Sequence, residues 1–144
     1  MQKVFYIGKG QGNSMEPIIN EGDKIYVEKV KFNNLKTGDI VVFYRHKSFA
    51  AHRVIRKKNK QIITKGDNSP YLDKPLDYSK ILGKLVRIEG KYGNINLSSN
   101  FARLFSLYFL FYSLSTYYLP FYLRLILIKI LRGRKIITKM LAFQ

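Results

Sequence analysis

FAAHRVIRKKNKQIITKGDN, residues 49–68, decides the architecture. Its first eight residues suit an extended chain, with Phe49, Ala51, Arg53 and Ile55 on one face and Ala50, His52, Val54 and Arg56 on the other. KQIITK, residues 60–65, is a second β-type run, and Lys57-Lys58-Asn59-Lys60 between them reads as a solvated hairpin tip. Lys65-Gly66-Asp67-Asn68 then closes the pair with turn chemistry. Two strands around a polar tip predict a β domain, and one of them carries a histidine among small and apolar neighbours.

The pattern extends in both directions. VFYI at 4–7, DKIYVEKV at 23–30, DIVVFYR at 39–45 and ILGKLVRIE at 81–89 are further strand candidates. Glu21-Gly22-Asp23 and Thr37-Gly38-Asp39 punctuate them, with Asp23 and Asp39 read as turn residues. Residues 1–98 are therefore expected to form one mainly β domain. A chain of 144 residues has room for that domain and an appendage, residues 99–144.

The appendage differs in character. All nine acidic residues precede position 100, whereas residues 101–144 hold seven basic side chains and no acid. Residues 104–123 are uncharged, about the length that crosses a bilayer. Ser106, Ser113, Ser115 and Thr116 dilute this segment, and Pro120 ends or kinks a helix near its finish. Tyrosines crowd it, and Arg132, Arg134, Lys135 and Lys139 follow as a basic flank. A helical membrane span or interfacial anchor is the expectation, with a helix packed on the β domain as the alternative. MQKVFYIGKGQ, residues 1–11, has only a four-residue apolar run, so anchoring is expected from the carboxyl-terminal segment.

The net charge of +17 favours an anionic partner, either nucleic acid or an acidic leaflet. The basic tail residues lie among Leu and Ile rather than in a polar stretch, which favours membrane over nucleic acid. Absence of cysteine excludes a disulfide framework, a thiolate metal site and a cysteine nucleophile. No residue spacing suggests a metal or organic cofactor.

Covalent chemistry would need a serine with a base in reach and donors aimed at an oxyanion. GQGNSMEPIINEGD, residues 10–23, places Ser14 in a glycine-flanked turn, and only His46 and His52 could serve as an imidazole base. His46 sits among Arg45, Lys47 and Ser48 and reads as a solvated hairpin residue, which leaves His52. Gly10 and Gly12 allow close backbone approach, so that the Ser14 amide can act as an oxyanion donor. Met15 would fill an apolar gap beneath the loop, and Pro17 would stiffen the turn supporting the substrate groove.

Taken in order, Ser14-Met15-Glu16-Pro17, Glu21-Gly22-Asp23, Gly38-Asp39-Ile40-Val41-Val42, His52-Arg53-Val54 and Lys65-Gly66-Asp67-Asn68 with Asp73 resemble the type I signal peptidase family. The nearer likeness is to the branch of archaea, the endoplasmic reticulum and some Gram-positive bacteria, in which histidine replaces a lysine base. The resemblance covers residues 12–73. It implies a fold shared with self-cleaving repressor peptidases, Ser14 as nucleophile, His52 as general base, Asp73 as the acidic third member and Asp67 as a supporting aspartate. It further implies cleavage after small residues, commonly in an Ala-x-Ala context, through an acyl-enzyme. Two departures stand out. Gly12 occupies a position where many members carry a serine or threonine hydroxyl, and the usual hydrophobic helix is not found in the thirteen residues before Ser14.

Three functions follow as expectations: a membrane-associated serine endopeptidase removing signal or leader segments, a dedicated leader peptidase maturing one small peptide, or a non-catalytic membrane- or nucleic-acid-binding module on the same fold. Topology stays open in the same way. A span at 104–123 with its basic flank inside would place the domain outside, whereas an interfacial tail or a hairpin about Pro120 would leave it cytoplasmic.

Overall fold

A computed structural model describes residues 4–45, 48–90, 93–119 and 123. His46, Pro120 and the basic flank at 132–139 lie outside the described residues. Eight strands form one antiparallel sheet: β1 (Val4–Lys9), β2 (Lys24–Glu28), β3 (Ile40–Arg45), β4 (Ser48–Lys58), β5 (Gln61–Lys65), β6 (Leu76–Asp77), β7 (Ile81–Gly90) and β8 (Gly93–Asn96). Their order is β1-β2-β7-β3-β4-β5-β6, with β8 also paired to β7. The fold is thus mainly β, followed by helix α1 (Asn100–Tyr118).

Local chemistry accounts for the joins. β4 and β5 form a hairpin through Asn59 and Lys60, both at positive φ (51° and 60°), which suits the primed turns that match strand twist. That turn pairs Lys58 with Gln61, Lys57 with Ile62 and Arg56 with Ile63, and a bulge between Val54 and Arg56 then places Val54 opposite Thr64 and Arg53 opposite Lys65. The Asp39 carboxylate accepts from the Lys36 amide at 2.8 Å, and Asp23 accepts from the Asn20 amide at 2.8 Å, so both act as the expected turn residues.

The sheet is covered on both faces. Strand β3 shows this by alternation: Ile40 and Val42 enter one apolar cluster, Val41 and Phe43 the other. The first cluster gathers Met15, Ile18 and Ile19 from the loop before β2, Val27 and Ile88 from the sheet, and Ala102 and Phe109 from α1. The second unites Leu35, Val54 and Ile62. Each fully buried aliphatic side chain contributes about 1.5–3 kcal/mol. The loop that carries Ser14 is therefore nailed to the core by its own apolar residues.

Helix α1 begins where the Ser99 hydroxyl accepts from the Ala102 amide at 3.1 Å, an N-cap. Over residues 100–118 the helix packs one face on the β domain. Ala102, Phe109, Tyr112 and Ser113 are buried, while Leu104, Leu107, Phe111 and Tyr118 face outward at 66, 52, 77 and 76 % exposure. No helix among the described residues is long and apolar enough to cross a membrane.

Candidate active site

The nucleophile candidate sits in a folded loop. Gly10 donates to the Asp23 carbonyl at 2.8 Å and Gly22 to the Gly10 carbonyl at 3.0 Å, pinching the base of residues 10–23. Met15 is 4 % exposed beneath it and joins the first apolar cluster, and Pro17 is buried. Gly12 adopts φ +75°, a conformation that a residue with a Cβ rarely takes. The Ser14 amide makes no hydrogen bond among the described residues, so it remains available as a donor.

From the other side, Asn68 donates its amide to the Ser14 carbonyl at 2.8 Å. Gly66 packs so closely that a Cβ there would lie 2.7 Å from the same carbonyl oxygen. The β5–β6 connection thus clamps the turn that presents the hydroxyl.

His52, 6 % exposed on β4, stands between this serine and an acid. Its Nε2 is 3.3 Å from Ser14 Oγ and its Nδ1 is 2.5 Å from Asp73 Oδ2. Phe43 meets the ring edge-on at 5.8 Å between centroids and limits its rotation. With the ring proton on Nδ1 donating to Asp73, Nε2 is left to accept from the serine hydroxyl. Ser14, His52 and Asp73 therefore form a hydrogen-bonded row in the order that proton abstraction requires.

Backbone pairing holds the acid. Lys65 bridges to Leu72, and the Asp73 amide donates to the Thr64 carbonyl at 2.8 Å. The carboxylate also accepts from the Thr64 hydroxyl at 2.8 Å and from Arg45 Nη1 at 3.2 Å. Burial pushes this carboxyl up. Hydrogen bonds from His52 and Thr64, together with the charges of His52 and Arg45, outweigh burial and hold it below the usual carboxylate range.

Asp67, grouped with the catalytic candidates, is placed differently. It is fully buried, and its two oxygens accept from Arg53 Nε at 2.7 Å and Nη2 at 2.5 Å. Arg53 is itself 2 % exposed and also donates to the Gly38 carbonyl at 2.7 Å. The Asp67 side chain thus faces a guanidinium rather than the imidazole, while its amide meets Met15 Sδ at 3.5 Å.

An open groove of about 1410 Å³ runs past Ser14 and His52. One wall is residues 7–12, another is the β3–β4 hairpin, and the connection from Ser69 to Leu76 forms its edge. Ala50 and Ala51 lie along it, and Tyr44, Phe49 and Tyr71 stand exposed at its margins. Among the described residues no cluster of histidine and acidic side chains could hold a metal ion.

Sequence reasoning missed Arg45 and Thr64 as partners of Asp73, and Arg53 as partner of Asp67. None had a local signal: the register of the Asn59-Lys60 turn alone would set Thr64 opposite Ile55, and a bulge between Val54 and Arg56 brings it opposite Val54 instead.

A mainly β domain thus brings a serine, a histidine and an aspartate into one row of contacts. The chain belongs to the Peptidase S24-like family, which it matches over residues 2–86. It is also similar to proteins named inactive signal peptidase IA from Staphylococcus aureus strains MW2 and COL, each 33 % identical over 77 residues. Those alignments take in 52 % of this chain and 44 % of the relatives, so the chain spans less than half the length of the curated relatives it matches. The family match ends before α1.

Proposed function

We propose that the protein is a serine endopeptidase that removes amino-terminal signal or leader segments after small residues. The observation carrying this reading is the Ser14–His52–Asp73 row, at 3.3 Å and 2.5 Å, opening on a groove. His52 takes the Ser14 proton as Oγ attacks the scissile carbonyl, and Asp73 steadies the imidazolium. The amide of Ser14 donates to the developing oxyanion, a task that falls to backbone because Gly12 offers no hydroxyl. His52 then returns the proton to the leaving amine, and water releases the acyl group from Ser14. The signal-peptidase name of the relatives supports a leader as substrate.

The same reading includes work at a membrane surface. The outward stripe of Leu104, Leu107, Phe111 and Tyr118 supports it, as does the acid-free, basic sequence of residues 101–144. The name of the relatives also favours a second reading, a non-catalytic module on this fold. The two part at one experiment: Ser14→Ala and His52→Ala are each compared with wild type on an Ala-x-Ala leader peptide, with a fluorophosphonate probing the serine. Loss of cleavage and of labelling in the variants supports the peptidase. Cleavage that survives both substitutions, or a wild-type protein that neither cleaves nor labels, sinks it.

A further inference from the structure

Helix α1 lies beyond the family-matched residues, yet its inner face reaches two buried cations, one next to His52 in the chain and one next to Thr64. Ser106, Phe109 and Ser113 recur at helical spacing and share that face. Ser106 Oγ donates to the Gly38 carbonyl at 2.6 Å and accepts from Arg53 Nη1 at 3.2 Å, with Phe109 packed against the Arg53 guanidinium. One turn pair further on, Ser113 Oγ accepts from Lys65 Nζ at 3.1 Å, and the same ammonium donates to the Gly66 carbonyl at 3.1 Å. Lys65 and Ser113 are both fully buried.

Both cations have short routes to the catalytic row. Arg53 follows His52 on β4 and ties it, through Asp67, to the connection that holds Ser14. Lys65 stands between Thr64, whose hydroxyl and carbonyl hold Asp73, and Gly66, which packs on the Ser14 carbonyl. A buried ammonium that loses an acceptor shifts toward any remaining polar group. At Lys65 such a shift would act on the end of β5, where Thr64 holds Asp73 and Gly66 packs on Ser14.

We propose that Ser113, through Lys65, and Ser106, through Arg53, are positioning residues, so that docking of α1 completes the active site. This rests on the peptidase reading above. The hydroxyls touch no substrate. They set where the row sits, and misplacement by about 1 Å costs on the order of a hundredfold in rate.

The test compares wild type, Ser113→Ala, Ser106→Ala and Ser106→Thr in leader-peptide cleavage, Ser14 labelling by fluorophosphonate and the nitrogen NMR shifts of the His52 ring. Ser113→Ala is repeated on a Lys65→Met background, where the cation needing the hydroxyl is gone. The expected result is a kcat lower by about tenfold or more in both alanine variants with KM nearly unchanged. Labelling slows in parallel, the His52 shifts move, and Ser106→Thr stays near wild type. On the Lys65→Met background the further loss from Ser113→Ala shrinks to within about threefold.

Wild-type rates in both alanine variants would overturn positioning while leaving the peptidase intact. So would a loss that merely tracks the unfolded fraction, or one equally large on the Lys65→Met background. A wild-type protein that does not turn over removes the peptidase reading, and unmoved His52 shifts then overturn the positioning as well.

Discussion

Replacing Asp67 by asparagine separates a structural carboxylate from a catalytic one. Asp67 is fully buried, and both its oxygens accept from Arg53, itself 2 % exposed. The asparagine keeps the volume and one oxygen but deletes the charge, leaving a guanidinium held by Gly38 O and Ser106 Oγ, neither of them charged. Breaking a buried ion pair from one side costs about 3–5 kcal/mol. For a chain of this length, with an unfolding entropy near 0.3 kcal/mol/K, that lowers Tm by about 10–17 °C. The Ser14–His52–Asp73 contacts do not pass through the Asp67 side chain but are positioned through its tie to Arg53, so kcat of the folded fraction should fall by about the tenfold expected of Ser106→Ala, not by the roughly 10⁴ of a lost catalytic acid. Thermal unfolding by circular dichroism and leader-peptide cleavage well below Tm measure the two effects. The double variant Arg53→Met/Asp67→Leu removes both charges and should recover part of the loss. A Tm within about 3 °C of wild type together with kcat down by orders of magnitude would refute the assignment and make Asp67 the catalytic acid.

Asp73→Asn should do the reverse, lowering kcat by about 10⁴ while the protein stays folded at neutral pH, because the amide cannot orient and stabilise the imidazolium. Its stability deficit depends on pH. The folded carboxyl titrates below its unfolded value of about 3.9, so ionised Asp73 stabilises fully above that pH, and the contribution disappears as pH falls through the folded value. Urea unfolding of the two proteins should therefore converge in acid, and a gap that widens there would contradict the origin of the shift. Gly66→Ala places a methyl 2.7 Å from the Ser14 carbonyl oxygen, and Ser14 labelling should slow by an order of magnitude or more; labelling at the wild-type rate would show that the clamp yields without moving the serine. Leu107→Glu/Phe111→Glu, on the outer face of α1, should weaken co-sedimentation with anionic vesicles without changing cleavage of a soluble peptide. Equal sedimentation would remove α1 from the membrane contact.

The six runs read as strands are all strands, because each combines alternation with turn residues at its ends. β6 and β8 escaped notice for opposite reasons. Leu76–Asp77 is too short to show a period, and in Gly93–Asn96 only Ile95 favours a strand, the glycine and two asparagines extending because β7 offers them a partner. In the site, Ser14 and His52 could be found in the sequence because their motifs are local. Asp73 could be named but not separated from Asp67, since both follow the same strand within a few residues.

Read along the chain, the residues already carry the alternation that builds the sheet, the glycine-framed turn around Ser14, and a short set of side chains suited to acyl chemistry. Tertiary structure decided which of them meet. The bridge from Lys65 to Leu72 turns Asp73 back to His52, and the burial of Arg53 beside α1 claims Asp67 as its counter-charge. The reason is physical: alternation and turn propensity act within a few residues, whereas an ion pair or a triad joins groups up to dozens of positions apart. Which partners those groups find depends on how strands register and on what the helix covers.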